Sequence, residues 1–462
     1  MSAADAIKVV IVLGLTGSLL YVLRWYQVHA KPPPDPELVR KMFHIGGGIV
    51  GLSLPWLFDS LIPVLAMGGA VVALFVAMRV VRRLHGGVGQ VLLGVKRSSA
   101  GEFCYILSIC LLFWLTHGNK LLYSVPLLVV ALADASAALI GEQYGKLPLH
   151  MRGDRKSYEG AAAFMLTAFF CVHVPVLLSE QTGRLESLLI AVGVSVMVMM
   201  AEAAAWWGLD NIIIPLWSYM LLKSMLRMDA VTIASHLAFL LMLALFMRFY
   251  RNHTSLGDDA LFGTTLWGYV VWTVGGWRWV VPPIILFAVY ATITARTPHD
   301  KLRVFRFPIV LANIAGAFLW LLIYRQTDEV RMLLPFAACF GADLAIIALV
   351  REKFARPELG WRQAVSSTVA KGMLVIVPTV LALDGIALTV AVDLAFALLA
   401  LYAATALFYR LQPALSTFPV DGGRWLRQAL IVTATSVIAL GFNYSTLSTA
   451  HAPRLRDILE LF

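Results

Sequence analysis

Residues Leu121–Ile140 read LLYSVPLLVVALADASAALI, and Asp134 is the one charged side chain in this stretch of twenty residues. A helix needs about 20 predominantly apolar residues to cross the hydrocarbon core of a bilayer. The stretch therefore predicts a membrane-spanning helix. A carboxylate at membrane depth costs free energy, so Asp134 is also predicted to belong to a functional site.

The composition extends this prediction to the whole chain. Of its 462 residues, 60% are hydrophobic and only 14% are charged, and the mean hydropathy is +0.80. A soluble globular domain carries roughly a quarter charged residues, so that class of protein is excluded. About sixteen apolar segments occur along the chain, and we expect an all-α, polytopic integral membrane bundle of about 14–16 transmembrane helices.

Lysine and arginine alternate between successive loops. The segment 79–102 is rich in both, whereas the next connection, 116–120, holds only Lys120. Because basic loops face the cytoplasm, the N-terminus is predicted to be external. The same rule explains the net charge of +10 without a nucleic-acid partner. It also places the polar clusters described below on the cytoplasmic side, where nucleotides are available.

Two other features predict structure rather than chemistry. The four cysteines lie inside apolar segments without CxxC spacing, which is typical of small buried hydrophobes and not of disulfides or a zinc site. The apolar segment 7–21 is predicted to be an uncleaved first helix rather than a signal peptide. We expect a division of the chain near residues 250–258, because the polar clusters lie in 1–250 and residues 255–462 hold few.

The first polar cluster consists of Arg40, Lys41 and His44, within the sequence ELVRKMFHIGGG (37–48). On a helix the three residues lie within about one turn, and positions 40 and 44 share a face. One interpretation is an interfacial anchor with snorkelling cations, and the other is one wall of an active site. The glycines that follow would let another backbone or a ligand approach closely.

Two further clusters open predicted helices. Backbone N–H groups at a helix start, with cations nearby, suit an anion. A serine N-cap followed by a first-turn acid is the structural alternative. The clusters are KRSSAGE, with Arg97, Ser98, Gly101 and Glu102, and RKSYEG, with Lys156, Ser157, Glu159 and Gly160.

The remaining clusters are acidic. Asp134 and Glu202 each lie in an apolar context, where a carboxylate marks a functional site. Mg²⁺ is commonly held by one or two carboxylates together with substrate phosphates. The clusters are ADASAALIGEQYGK, with Asp134, Gly141 and Gly145, and AEAAAWWGLDN, with Glu202, Asp210 and Asn211.

This mixture of side chains predicts phosphoryl transfer from a nucleotide. That reaction needs carboxylates for metal, cations for phosphates, and a base or positioning group for the acceptor hydroxyl. The chain has no Walker A motif and no GxGxxG motif followed by a strand. We therefore expect a membrane-embedded site of a different kind.

The order of these motifs over about residues 37–225 resembles that of a family of integral-membrane lipid kinases. The family includes dolichol kinase, phytol and farnesol kinases, and CTP-dependent diacylglycerol kinase. The matching motifs are RKMFH, KRSSAGE, ADASAALIGEQYGK, RKSYEG and AEAAAWWGLDNIIIP. The resemblance implies Mg²⁺-dependent phosphorylation of the hydroxyl of a long-chain lipid alcohol at the cytoplasmic face, with CTP or another NTP as donor.

The resemblance also implies roles by position. The catalytic residues would be His44, Asp134, Lys156 and Glu202, and the Mg²⁺ ligands Asp134, Glu202 and Asp210. The nucleotide- and phosphate-binding residues would be Arg40, Lys41, Arg97, Ser98, Gly101, Glu102, Gly141, Gly145, Ser157, Glu159, Gly160 and Asn211. Phytol-kinase-like members often carry a second Asp where this chain has Ala138. Residues 255–462 lie outside the resemblance, and their role is unassigned.

Two other functions remain open from the sequence alone. A cytidylyltransferase of the phosphatidate type would also use CTP, but would release pyrophosphate. A lipid or small-molecule transporter would also have many helices and buried acids, and it would move its substrate without nucleotide turnover. In each case the partners are membrane lipids or small molecules, and no nucleic acid is expected.

Overall fold

A computed structural model describes residues 1–94, 100–149, 156–294, 305–384, 388–419 and 422–445 of the chain. Across these ranges the chain is helical, and its extended pairing is limited to two isolated bridges, Pro148 with Ser157 and Leu256 with Phe305. The predicted all-α fold is confirmed. Asn and Gly turns, short 3₁₀ helices and proline-bearing loops join the helices.

The chain divides into two compact units, Met1–Leu241 and Met242–Phe462. The division falls inside helix Ala230–Tyr250, and the 3₁₀ turn Arg251–His253 follows within the predicted boundary of 250–258. The lipid-kinase chemistry assigned to residues 1–250 stays a prediction, and residues 255–462 stay without an assigned role.

The first unit consists of helices of 4 to 27 residues, and the last of them crosses the division between the units. In chain order they are α1 (Ala3–His29), α2 (Pro36–Leu52), α3 (Leu54–Leu57), α4 (Leu61–Val80), α5 (Arg82–Gly86), α6 (Gln90–Leu93), α7 (Gly101–Thr116), α8 (Lys120–Leu128), α9 (Asp134–Tyr144), α10 (Tyr158–Leu178), α11 (Arg184–Ala204), α12 (Asp210–Met225) and α13 (Ala230–Tyr250).

The second unit continues with longer helices. They are α14 (Asp258–Gly275), α15 (Trp277–Thr292), α16 (Phe307–Thr327), α17 (Leu333–Ala355), α18 (Trp361–Asp384), α19 (Leu388–Leu411) and α20 (Gly422–Ser445). Helix α17 lies at the centre of this unit, since nearly all of its residues are buried.

Among the described residues, ten helices are long and apolar enough to cross a membrane. This is fewer than the sixteen or so apolar segments of the sequence, because several of those segments form short or broken helices. The apolar stretch 43–58, for example, breaks at Ser53, between α2 and α3. Helix α12 has 16 residues and is about 24 Å long, which is less than the ~30 Å hydrocarbon core.

Residues 121–140 form one continuous but irregular helix. Helix α8 contains Pro126, which has no N–H to donate. A π-helical turn, Val129–Ala133, follows and leads directly into α9 at Asp134. Such turns interrupt the regular helical register and are frequent at functional sites. Here the turn lies directly before Asp134.

Helix α2 lies close against this irregular region. A Cβ added at Gly48 would lie 2.6 Å from the Cβ of Ala131, and one at Gly51 would lie 3.2 Å from Leu127. Glycine at these positions therefore permits the close approach of the two helices. Tyr123 donates a hydrogen bond to the carbonyl of Gly51 (2.8 Å) at the same contact. This packing brings the cationic face of α2 against Asp134.

Candidate active site

The carboxylate of Asp134 lies between two side chains of α2. Lys41 Nζ donates to Asp134 Oδ2 at 2.6 Å, and His44 Nε2 lies 3.6 Å from the same oxygen. Lys41 and Asp134 are buried, with 4% and 8% of their surfaces exposed. Isolated charges at such depth are costly, and pairing offsets that cost. The predicted RKMFH cluster and the predicted intramembrane acid thus belong to one site.

His44 has a defined hydrogen-bonding state. Its Nε2 lies 3.0 Å from the carbonyl oxygen of Val130, in the π-helical turn. Since a carbonyl only accepts, Nε2 carries the proton, and in the neutral ring Nδ1 is the acceptor. The ring packs on Tyr105, with 4.2 Å between ring centres.

A second ion pair, between a half-buried lysine and a buried acid, joins the other two predicted catalytic residues. Lys156 Nζ lies 2.8 Å from Glu202 Oε1 and 2.5 Å from the Glu202 carbonyl oxygen. Glu202 is 7% exposed. Lys156 immediately precedes α10, whereas Glu202 lies in the last turn of α11. The pair therefore connects the start of one helix to the end of the next.

Small residues set the contact between α9 and α10. Ser157 is the N-cap of α10 and accepts a hydrogen bond from the Gly160 amide at 3.1 Å. A Cβ at Gly160 would lie 2.9 Å from the carbonyl oxygen of Ala137. A Cβ at Gly145 would lie 2.3 Å from the carbonyl oxygen of Gly141. A side chain at either position would therefore crowd the backbone.

One polar cavity collects most of the predicted site residues. It has an empty volume of about 850 Å³ and is lined by side chains of α2, α9, α10, α11 and α12. Ala138 is also part of its wall. The predicted residues that line it are Arg40, Lys41, Asp134, Gly141, Lys156, Ser157, Gly160, Glu202, Asp210 and Asn211.

The cavity wall contains a polar atom that the protein leaves unsatisfied. Asn211 is 7% exposed, and its Oδ1 has no hydrogen-bond partner in the part of the chain that the structure describes. Its Nδ2 lies 3.5 Å from Asp210 Oδ1. A buried acceptor without a partner costs about 1–3 kcal/mol. Such an oxygen is suited to a ligand with hydrogen-bond donors or to a hydrated cation.

The donor set fits a hydrated Mg²⁺ better than a fully protein-coordinated ion. No group of three or more His, Cys, Asp or Glu residues in the described ranges is arranged to hold a metal. Asp134, Glu202 and Asp210 nevertheless line one cavity together with the Asn211 oxygen. Mg²⁺ commonly takes only one or two carboxylates and completes its shell with water and phosphate oxygens.

A second, apolar pocket adjoins this cavity. Its empty volume is about 900 Å³, and it is lined mainly by aliphatic and aromatic side chains of α1, α2, α4 and α7. Arg40 and Asn211 line both spaces, and His44 lines the apolar one. A polar cavity and an apolar pocket therefore meet at a wall made by residues of the first and last motifs.

Some predicted residues lie elsewhere. Gly101 and Glu102 line the apolar pocket, and Glu102 pairs with Arg79 (3.1 Å). Glu159 accepts hydrogen bonds from the backbone amides of Lys146 and Leu147 (3.0 and 3.2 Å), so in this structure it supports the preceding loop. Predicted residues Arg97 and Ser98 lie outside the described residues.

The sequence did not single out three residues that line these spaces. Glu37 pairs with Arg40 and lines the polar cavity. Glu142 lines the same cavity. Tyr105 lines the apolar pocket and packs on His44. The sequence spacing indicates a pairing for Glu37, because it precedes Arg40 by three positions and such residues are neighbours on a helix. For Tyr105 the sequence offers none, because a tyrosine in an apolar helix is also typical of ordinary packing.

Comparison with known proteins identifies a relative by sequence. The chain is 34% identical to the phytol kinase of Synechocystis sp. over 185 residues, which is 39% of this chain and 76% of that relative. No family model matches the chain, and no solved structure matches it significantly. Since ten helices in the described ranges are long and apolar enough to span a bilayer, and the relative is a lipid kinase, the chain is an integral, multi-pass membrane protein. The chain belongs to the phytol kinase family of membrane lipid-alcohol kinases.

Proposed function

We propose that the protein transfers the terminal phosphate of a nucleotide, with CTP as the expected donor, to the hydroxyl of a long-chain lipid alcohol. The observation that carries this proposal is the meeting of the polar cavity and the apolar pocket at Arg40 and Asn211. Phosphoryl transfer to a lipid requires both environments side by side. The apolar pocket would hold the chain, and the polar cavity would hold the phosphates.

The cations of the polar cavity are placed to bind phosphate. Lys41 and Lys156 are already at the cavity wall, where each is held by a carboxylate. Arg40 stands where the two spaces meet and can orient a phosphate near the acceptor. Each lysine neutralises a buried acid. Phosphate oxygens would compete with those acids for the same ammonium groups.

Mg²⁺, when bound, would supply positive charge that offsets the negative charge of the phosphates. Asp134, Glu202 and Asp210 would hold it, with Asn211 Oδ1 as a further oxygen in the same wall. The dependence on Mg²⁺ and on CTP is part of the proposal and comes from the resemblance of the motifs.

His44 is the proposed base or positioning group for the acceptor hydroxyl. It lines the apolar pocket, and its Nε2 is engaged with Val130. The remaining ring nitrogen, Nδ1, can accept the proton of an alcohol as that oxygen attacks phosphorus. Packing on Tyr105 holds the ring in place.

The acceptor class follows from the pocket and from the relative. The pocket walls beyond the junction are apolar, for example Phe43, Val71 and Ile109, and they suit a hydrocarbon or isoprenoid chain. Phytol, named for the relative, is the first acceptor to test, followed by polyprenols and diacylglycerol. The alternation of basic loops supports a cytoplasmic position for the site.

The test uses membranes containing the full chain, with CTP, ATP, GTP or UTP and each alcohol. A kinase yields lipid phosphate and nucleoside diphosphate, whereas a cytidylyltransferase yields pyrophosphate.

Gly47 lines the apolar pocket, and a Cβ there would only approach Tyr105 at 4.0 Å. Gly47→Leu should therefore fill the pocket without a backbone clash. It should raise the KM for the alcohol about tenfold or more while leaving the nucleotide KM unchanged.

The matched control is Gly69→Leu, because Gly69 is exposed on α4 and a Cβ there meets nothing within 4 Å. Equal kinetics for wild type and Gly47→Leu would remove the apolar pocket from the proposal. Substrate uptake into vesicles without any nucleotide turnover would replace the kinase by a transporter.

A further inference from the structure

The second unit contains a cavity that the proposed kinase chemistry does not use. It has an empty volume of about 1130 Å³, and apolar side chains of α13 to α17 make up most of its walls. The polar residues of the lining include Trp267 on α14, Asn313 on α16 and Asp343 on α17. An apolar cavity with a small number of polar groups is typical of a site for a small molecule.

Two buried polar atoms of this lining have no hydrogen-bond partner among the described residues. They are Nε1 of Trp267 and Oδ1 of Asn313, and Trp267 as a whole is only 8% exposed. A buried indole N–H normally finds a partner. In the same unit the buried Trp320 does so, because its Nε1 donates to Ser436 Oγ at 2.8 Å. The two orphaned atoms therefore point to a ligand in the cavity.

Trp267 and Asn313 lie at a similar level along neighbouring helices. Near the starts of α14 and α16, Phe307 N donates to Asp259 Oδ2 at 3.1 Å. Further along both helices, the Trp267 ring lies 5.4 Å from that of Phe318, so the two helices run in the same direction. Trp267 is about 12 Å beyond Asp259, and Asn313 is about 9 Å beyond Phe307. One headgroup can therefore reach both side chains.

The charged side chains that line the cavity have contacts within the protein. Asp343 accepts a hydrogen bond from Gln428 Nε2 at 2.9 Å. Arg424 donates to the carbonyl of Pro419 at 2.9 Å, and Arg351 packs against an aromatic ring of α15. No ligand contact is assigned to these three residues.

The two orphaned atoms select the chemistry of the headgroup. The indole N–H of Trp267 only donates, and the amide oxygen of Asn313 only accepts, so a group that satisfies both must accept and donate. A hydroxyl does both. An ammonium group only donates, and an ionised phosphate presents mainly acceptors, so each would leave one of the two atoms without a partner.

We propose that this cavity binds an uncharged long-chain alcohol. Its hydroxyl accepts a hydrogen bond from Trp267 Nε1 and donates one to Asn313 Oδ1. Its chain lies against the apolar walls that α13 and α15 contribute, for example Phe246, Ile284 and Phe287. The inference concerns the second unit alone and does not require the proposed kinase activity.

The test is photo-crosslinking of the full chain in an uncharged detergent, without nucleotide and below saturation. The probes share one diazirine-bearing alkyl chain and carry a hydroxyl, a methyl ether or a primary amine. Peptide mapping should place the alcohol on residues 242–462, with the ether about tenfold weaker there because it cannot donate to Asn313. Equal labelling by alcohol and ether would overturn the proposal. Stronger labelling by the amine would also overturn it, because the cavity would then hold a cation beside Asp343.

Variants of the two polar residues identify the headgroup contacts. Asn313→Leu removes the acceptor, so it should weaken labelling by the alcohol about tenfold and leave labelling by the ether unchanged. Trp267→Phe keeps an aromatic ring and removes the N–H, so it should weaken labelling by both probes about tenfold. The matched controls are Asn252→Leu and Trp277→Phe, because both residues are exposed and lie outside the cavity. Unchanged alcohol labelling in whichever cavity variants fold would contradict the assignment.

Gly47→Leu separates this cavity from the apolar pocket of the first unit. Because that variant fills the first-unit pocket, it should lower alcohol labelling on residues 1–241 and leave labelling on residues 242–462 unchanged. Alcohol labelling confined to residues 1–241 would overturn the proposal for the second unit and leave the proposed kinase function intact.

Discussion

Lys41 and Asp134 are 93 positions apart in the chain, and their side chains meet at 2.6 Å in the interior of the first unit. This contact joins the N-terminal cationic motif to the acid of the irregular helix. It provides Asp134 with a counter-charge before any nucleotide is bound. Each partner also lines the cavity proposed to hold phosphates and Mg²⁺.

The first prediction separates the structural role of this pair from its chemical role. Lys41→Met leaves a buried carboxylate uncompensated, which should cost about 3–5 kcal/mol of stability. The double variant Lys41→Met/Asp134→Leu removes both charges and should recover most of that loss. It should nevertheless be inactive, because the cavity has lost a phosphate-binding cation and a metal ligand. Thermal unfolding in detergent and phosphotransfer assays provide the measurements. Activity in a stable double variant would exclude a chemical role for the pair.

The second prediction concerns nucleotide binding by Lys156. Lys156→Ala should raise the KM for nucleotide by about tenfold or more, since a charge-assisted phosphate contact contributes about 1.5–3 kcal/mol. Lys146→Ala is the matched control, because Lys146 is an exposed lysine in the preceding loop and lies outside the cavity. Steady-state kinetics with varied nucleotide provide the comparison. An equal rise in both variants would indicate a general charge effect.

The third prediction uses the unsatisfied oxygen of Asn211. In Asn211→Leu the buried acceptor is removed, so the thermal midpoint should stay the same or rise, because that acceptor costs about 1–3 kcal/mol when unpaired. Phosphotransfer should fall about a hundredfold, because Asn211 stands between the two spaces. A loss of stability in parallel with activity would mean that Asn211 is a packing residue.

The fourth prediction concerns the contact between α9 and α10. Gly160→Ala would place a Cβ 2.9 Å from a backbone oxygen, and we expect a loss of about 1–3 kcal/mol from overpacking. Gly69→Ala, at an exposed position of α4, should change the thermal midpoint little. Similar midpoints for the two variants would show that the α9–α10 contact has more room than the structure indicates.

The sequence was sufficient to predict the fold class, because apolar segments of membrane length leave few alternatives. It also identified most of the polar cavity, since an acid such as Asp134 or Glu202 is conspicuous in an apolar helix. The helix count was less accurate. The break at Ser53 and the short α12 depend on packing that composition does not reveal.

The structure was needed to show that the apolar pocket lies beside the polar cavity. The apolar pocket is made of ordinary membrane residues, and nothing in their sequence distinguishes a lipid groove from helix packing. The partners of Lys41 and Lys156 could not be paired from the sequence, because each contact spans a long separation along the chain. The backbone role of Glu159 likewise becomes visible only when the loop before α10 is in place.

The most direct test of the account is transfer of a labelled terminal phosphate by the purified chain. With CTP labelled on its γ-phosphate, Mg²⁺ and phytol, the account predicts labelled phytyl phosphate and unlabelled CDP. Asp134→Asn should reduce this product by at least about a hundredfold. Label that leaves as pyrophosphate, or product formation that is unchanged in Asp134→Asn, would contradict the central claim.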